Sequence, residues 1–376
     1  MLALLTAIPC LTSPQAYSKD TVPPLTVQSA VPFPALTEKF KQSEGWTGAD
    51  AAWSFQVSPD CTVWTFGDTW IGTVKDGKHV DAHMINNTVG IQRLNKIANS
   101  PLAPIKYYWR QSSTKPQSIF LPDQKGKWFW PGAGLADNGS LYFVLHRIRS
   151  IPAKEPDFGF AEDGNLLCRV RKPQELPPKW NFDTVPLPDF AKTVQFGNAC
   201  LGDDKYLYCY CSYREAGNGA HTSPIILARI SKEKMRKLSV VEWQFFQRDM
   251  SGSNNWRDDP AKSTIMFADA ASEMSVSQVP GIKGFVATYI AGFGPEILLR
   301  HANFPWGPWS DPIVAYRCPE DSKKQFVYSA KAHPELAQTH GELIVTYCSN
   351  TKFFADQVNQ ADLYSPQAVR VLLTKP

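Results

Sequence analysis

One pattern recurs along this chain and constrains its fold more than any other: an apolar strand, a short turn and a second strand rich in Tyr, Trp, Phe and Val. It occurs five times, as GADAAWSFQVSPDCTVWTFGDTW (48–70), WFWPGAGLADNGSLYFVLHRI (128–148), FGNACLGDDKYLYCYCSYR (196–214), SEMSVSQVPGIKGFVATYIAG (272–292) and AKAHPELAQTHGELIVTYCSNT (330–351). Each hairpin is followed by a further strand-like run: TVGIQRL (88–94), GNLLCRVRK (164–172), PIILARI (224–230), EILLRHA (296–302) and QAVRVLL (367–373). The units begin roughly every 60 to 80 residues. A lone β unit of this kind cannot cover its faces, whereas a regular array buries each unit against two neighbours. The pattern predicts an all-β chain, a five-bladed β-propeller over residues 39–376. A two-sheet sandwich also uses short strands, but it does not predict the repeated order of inner hairpin then outer strand. Helix is expected only in KEKMRKL (232–238) and in turns around 188–192, and NNWRDDPAKS (254–263) reads as a loop.

Composition removes several classes of function. The 376 residues carry 39 Lys and Arg against 35 Asp and Glu, a net charge of +4 without a block of like charge, so nothing marks a nucleic-acid surface. No apolar run approaches the roughly 18 residues of a membrane span. The opening MLALLTAIPCL followed by Ala16-Tyr17-Ser18 has the form of a signal peptide over residues 1–18, which predicts a secreted or periplasmic protein. Residues 19–38, with Pro23, Pro24, Pro32 and Pro34, read as an exposed, extended leader. Seven cysteines remain beyond Cys10, too widely spaced for a zinc site and best read as small buried hydrophobes.

The candidate site follows from the hairpins. In the first, the turn centres near Pro59, and Asp50 and Asp68 lie nine residues to either side of it. Antiparallel pairing sets them opposite each other at one end of the unit. Two neighbouring carboxylates repel, so one pKa rises while the other stays low, which makes an acid and a base from one residue type. Counting about eight to ten residues back from the other turns gives Trp130, Asn198, Glu273 and His333, expected to ring the channel mouth with His146 opposite Trp130. Glu273 is a third catalytic candidate. Trp46, Trp70 and Trp130 are candidates for stacking on sugar rings, and His146, Asn198 and His333 for substrate hydrogen bonds.

GWTGADAAWSFQVSPDCTVWTFGDTWIG, with ANFPWGPWSDP (302–312) and YSAKAHPEL (328–336), resembles the endo-D-arabinanase family of five-bladed propeller glycoside hydrolases. The resemblance implies a secreted glycosidase whose acidic residues sit at the channel mouth. It implies that the family's two essential aspartates correspond to Asp50 and Asp68, and that the substrate is a furanosidic or related neutral polysaccharide, cleaved internally by a monomer. No cofactor is expected. Calcium on the channel axis occurs in related propellers, but no loop here has the alternating oxygen ligands that would predict it.

Other classes fare worse. SPDCTVW (58–64) lacks the Gly and the register of a sialidase turn, and the chain has no G-x-S-x-G, H-E-x-x-H, P-loop or G-x-G-x-x-G. The strongest rival is a secreted carbohydrate-binding propeller without chemistry, which would have no use for a carboxylate pair. If the opening is a cleaved signal, protein recovered from cells will begin near Lys19 on N-terminal sequencing; recovery of intact Met1 would rule cleavage out.

Overall fold

The computed structural model describes residues 22–93, 102–152, 159–214, 222–249, 252–320, 323–351 and 353–374. The signal peptide expected over 1–18 lies outside these. Among the described residues the chain is all-β in its main architecture, arranged as five antiparallel sheets of four or more strands with smaller additions.

Pro59 and Asp60 form the turn of the first hairpin, and pairing runs from Ser58 with Cys61 back to Trp53 with Thr65. Trp53–Ser58 and Cys61–Phe66 are joined by Thr88–Arg93 and Ile105–Tyr108 to make sheet one. Sheet two runs Lys127–Asp137, Ser140–Ser150, Phe160–Val170 and Phe182–Pro186. Sheet three runs Val194–Gly202, Tyr206–Tyr213, Ser223–Ser231, Gln244–Arg248 and Asn254–Arg257, with Ile265–Ala270 also paired to its third strand. Sheet four runs Ser275–Ser277, Phe285–Ile290, Glu296–Ala302 and Ile313–Arg317. Sheet five runs Gln325–Ala332, Glu342–Thr351 and Gln367–Thr374, and its outer strand is Thr26–Pro32 from the other end of the chain.

The core lies between sheets, which explains the near-continuous apolar character of the second strands. Cys61–Phe66 is buried on both faces along its whole length. Five clusters of buried side chains form, one between each sheet and the next. Phe55 and Phe143 share the cluster between sheets one and two, Val144 and Phe196 the one between two and three, and Tyr210 and Tyr289 the one between three and four. Val286 and Val345 share the cluster between four and five, and Ile344 and Trp64 the one between five and one. Six of the seven described cysteines are buried and all are free, Cys209 and Cys211 alternating within one strand of sheet three.

Four expectations need correction. Short helices also form at Pro34–Thr37 and Phe354–Asn359, outside the segments where helix was expected. The segment read as an exposed leader contains Thr26–Pro32, which pairs with Gln367–Thr374 because that strand would otherwise be a bare edge. NNWR, read as loop, is the strand Asn254–Arg257, held by pairing with Gln244–Arg248 although its side chains show no clean alternation. Glu44–Ala49, just before sheet one, pairs with Thr69–Lys75, which with Lys78–Ile85 lies between the second and third strands of that sheet, and the three make a separate sheet that the repeat did not predict.

A chain starting at Phe33 loses this outer strand together with Leu25, which is buried in the cluster between sheets four and five. Leu25 alone accounts for about 2 kcal/mol, so such a chain should melt several degrees below the parent in calorimetry. An unchanged melting temperature would mean the strand adds nothing to sheet five.

Candidate active site

Asp50 and Asp68 flank the first hairpin just beyond its last regular pair. The register continues through them: the Asp50 amide donates to the Asp68 carbonyl at 3.4 Å, and the Gly67 amide donates to the Asp50 carbonyl at 3.3 Å. Between Asp50 and the strand, Ala51 (φ 65°) and Ala52 (φ 54°) both sit in the left-handed region. That conformation costs a residue with a Cβ roughly 1 to 2 kcal/mol, and strain of this kind gathers at functional sites. Gly67 has no substitute here, since a Cβ on it would lie 2.3 Å from Asp50 Oδ1.

The two carboxylates open into a cleft of about 880 Å³ whose wall also carries Trp130, His146, Glu162 and Glu273. Asp50 accepts a hydrogen bond from the Tyr328 hydroxyl at 2.8 Å and another from the Tyr364 hydroxyl. Burial, with the negative charges of Glu273 and Asp68 close by, nevertheless pushes its pKa up to about 7. Asp68 Oδ1 accepts from Trp130 Nε1 at 2.8 Å and from Asn86 Nδ2 at 3.0 Å. Burial outweighs these bonds and raises Asp68 to about 6. Glu273 differs. Burial would raise it too, but Lys331 Nζ and Ser329 Oγ, each 2.5 Å from Oε2, hold it below the usual glutamate range.

Trp130 and His146 are paired across sheet two, as the hairpin pattern predicted. The Phe196 amide donates to Asn165 Oδ1, so Asn165 turns its amide nitrogen to His146 Nδ1 at 3.2 Å and to Glu162 Oε1 at 2.7 Å. His146 Nε2 lies beside Gly132, where a Cβ would approach to 2.6 Å. Burial opposes ionisation of Glu162, yet its contacts with His146 and the nearby Arg214 charge lower its pKa overall.

Five of the nine residues singled out from sequence thus line the cleft: Asp50, Asp68, Glu273, Trp130 and His146. The other four have buried side chains away from its wall. Trp46 stacks on Tyr107 and donates to Thr88, and Trp70 stacks on His79 and donates to Gln357; both belong to the unforeseen three-stranded sheet and are buried there. Asn198 lies in a bulge where sheet three slips register between Gln195 and Ala199, which turns its amide inward onto Ser212. His333 follows the end of Gln325–Ala332 instead of its start, and bonds Ser54 and Thr346 within the interior. Burial and the Lys331 charge hold it neutral, with a pKa of about 3.

Tyr328, Ser329, Lys331, Tyr364, Asn86 and Glu162 were missed. The first three stand in the YSAKAHPEL segment and were within reach of a correct strand boundary; Tyr364 and Asn86 come from connections that no repeat aligns. Among the described residues no group of three or more His, Cys, Asp or Glu side chains is arranged to hold a metal ion, and no helix is long and apolar enough to cross a membrane.

The sequence model of one family, a domain of unknown function called DUF5005, matches residues 35–373. The sequence matches no curated protein. A Bacteroides ovatus protein provisionally described as a hydrolase has a similar solved structure, with TM-score 0.71 and 18% identity over 96% of each chain. That likeness is one of fold. More distant are the GH43_1 enzyme of Xanthomonas citri (TM-score 0.47, 13% identity, 91% of this chain and 93% of that one) and a Trypanosoma rangeli sialidase (0.45, 10%, 92% and 60%).

The raised carboxylates carry a consequence for stability. A carboxyl whose folded pKa lies above its unfolded value near 4 binds its proton more tightly in the folded chain. The stability it contributes is full below pH 4 and drains away as pH rises through about 7 for Asp50. Asp50→Asn removes that loss, so its melting temperature should gain on the parent's from pH 4 up to about pH 7 and level off above it. A difference that does not change with pH would contradict the raised value.

Proposed function

This chain belongs to the DUF5005 family, and we propose that it is a glycoside hydrolase built as a five-bladed β-propeller, with Asp50 and Asp68 as its reacting pair. One observation carries the reading: two aspartates from one hairpin face a single cleft, and their pKa values of about 7 and about 6 straddle the condition in which one holds a proton while the other is charged. Cleaving a glycosidic bond needs that combination. A carboxylic acid protonates the leaving oxygen, and a carboxylate attacks the anomeric carbon, stabilises its developing positive charge or activates water. A module that only bound sugar would gain nothing from a buried, mutually repelling pair.

The five sheets with clusters between successive members support the propeller reading. Trp130, Phe160, Phe293 and Phe326 on the cleft wall offer apolar surface for sugar rings, in place of the buried Trp46 and Trp70. The substrate we propose is a furanosidic or related neutral polysaccharide, D-arabinan-like and cleaved internally, on the resemblance of the first hairpin and its flanking residues to endo-D-arabinanases. An exported protein fits such a substrate.

On a panel of arabinans, galactans and uronate polymers, products should be released from the arabinans. Asp50→Asn and Asp68→Asn should each lower turnover at least about 10²-fold, the low end for losing a positioned acid or base, while still binding glycan. Near-parent turnover in either variant on a verified substrate would remove that aspartate from the mechanism, and release from the uronates alone would overturn the substrate class.

A further inference from the structure

We infer that Lys331 is a positioning residue for this cleft: by pairing with Glu273 it fixes that side chain as a permanent carboxylate, so the proton the cleft holds resides on the Asp50 and Asp68 pair. The assignment deepens the glycosidase reading, but its spectroscopic test does not depend on it.

The geometry begins in the backbone of sheet five. Tyr328 and Lys331 are three residues apart and would leave opposite faces of a regular strand. Between them the register slips by one residue, from Tyr328 opposite Cys348 to Lys331 opposite Thr346, and Ser329 takes a φ of 64°. A bulge of this kind re-aims side chains. One short stretch therefore supplies Tyr328 to Asp50 and both Ser329 and Lys331 to Glu273.

Lys331 is sealed in, with 1% of its side chain exposed, while Glu273 keeps 29% open to the cleft. The ammonium lies 4.4 Å over the Trp53 ring, contacts the Ser329 hydroxyl, and has Glu273 as its single carboxylate partner among the described residues. A buried ammonium without an opposite charge is costly. Lys331 has only donors to offer, and the Ser329 hydroxyl also points its hydrogen at Glu273, so Oε2 is matched when it carries no proton. A protonated Glu273 would have to turn away and strand Lys331.

The charges around the pair then follow. Glu273 faces Lys331 and Ser329 from sheet five, with Asp50 from sheet one and His146 from sheet two at longer range. Asp50 faces Glu273, Asp68, Tyr328 and Tyr364, and the Cys348 thiol lies beside both acids. Three carboxylates against one ammonium leave an excess of two negative charges if all ionise. With Glu273 neutralised in place, the remaining repulsion is relieved by a proton on the aspartates.

The test reads protonated carboxyl groups by their infrared C=O stretch across a pH titration of the free protein. In the parent, a carboxylic acid signal should persist toward neutral pH, should be lost or displaced in Asp50→Asn or Asp68→Asn, and should remain in Glu273→Gln but titrate about 1 pH unit lower once the glutamate charge is gone. Lys331→Met should add a second acid signal that disappears in the Lys331→Met/Glu273→Gln double variant, and Lys331→Arg should not add it. If Lys331→Met does not fold, the Glu273→Gln titration decides alone. Loss of the parent signal in Glu273→Gln, with retention in both aspartate variants, would overturn the proposal, as would a Glu273→Gln titration identical to the parent's. On any verified substrate, Glu273→Gln should move the alkaline limb of the pH–rate profile down by the same amount, whereas a merely structural role would lower the rate without moving the limb. Absence of a hydrolysed substrate would count against the glycosidase reading and leave the infrared result standing.

Discussion

Three of the cleft's carboxylates, those of Asp50, Asp68 and Glu273, stand close enough to repel one another, and the structure around them is arranged so that they can. Like charges brought together out of water repel strongly, and each also loses its hydration. The chain answers with different partners for each. Asp50 receives two tyrosine hydroxyls, Asp68 receives an indole and an amide, and Glu273 receives an ammonium and a hydroxyl. Neutral donors moderate the repulsion at the aspartates without abolishing it, whereas the full charge of Lys331 fixes Glu273. The differing strength of these partners divides the work among three otherwise similar acids.

Those partners come from different sheets, so the site depends on how the sheets meet. Trp130 reaches Asp68 from sheet two, Tyr328 reaches Asp50 from sheet five, and Glu273 stands at the entrance to sheet four. The inner strands are irregular where they approach the cleft: sheet two slips between Pro131 and Gly134, sheet three between Gln195 and Ala199, and sheet five between Tyr328 and Lys331. In sheet one the left-handed Ala51 and Ala52 do the same work. Large buried side chains between neighbouring sheets, Phe143 and Phe196 among them, keep these irregular ends in place.

Much of this was legible in the sequence. The first hairpin shows its turn, its alternation and its aspartates in a single stretch, and Asp50 and Asp68 still face each other just beyond its last regular pair. Trp130 and His146 were also placed opposite each other, although the slip between Pro131 and Gly134 lies between that pair and the turn and moves the pairing by one residue. Asn198 was misplaced because counting back from a turn assumes one residue per pleat, and the bulge in sheet three breaks that assumption. His333 was misplaced because the proline after it was taken to follow the start of a strand when it follows the end. That one boundary also hid Tyr328 and Lys331. Trp46 and Trp70 could not be placed at all without the extra sheet, whose strands carry too little apolar alternation to announce themselves.

The central claim is that Asp50 and Asp68 are the groups between which a glycosidic bond is broken. Its most direct test is a crystal structure of the Asp68→Asn variant holding an oligosaccharide drawn from an active substrate. The account predicts one glycosidic oxygen within hydrogen-bond reach of Asp50 and the adjoining anomeric carbon facing residue 68, with the separation of the two side chains then distinguishing retention from inversion. An oligosaccharide lying elsewhere on the molecule, or crossing the cleft with both residues turned away from its linkages, would contradict it.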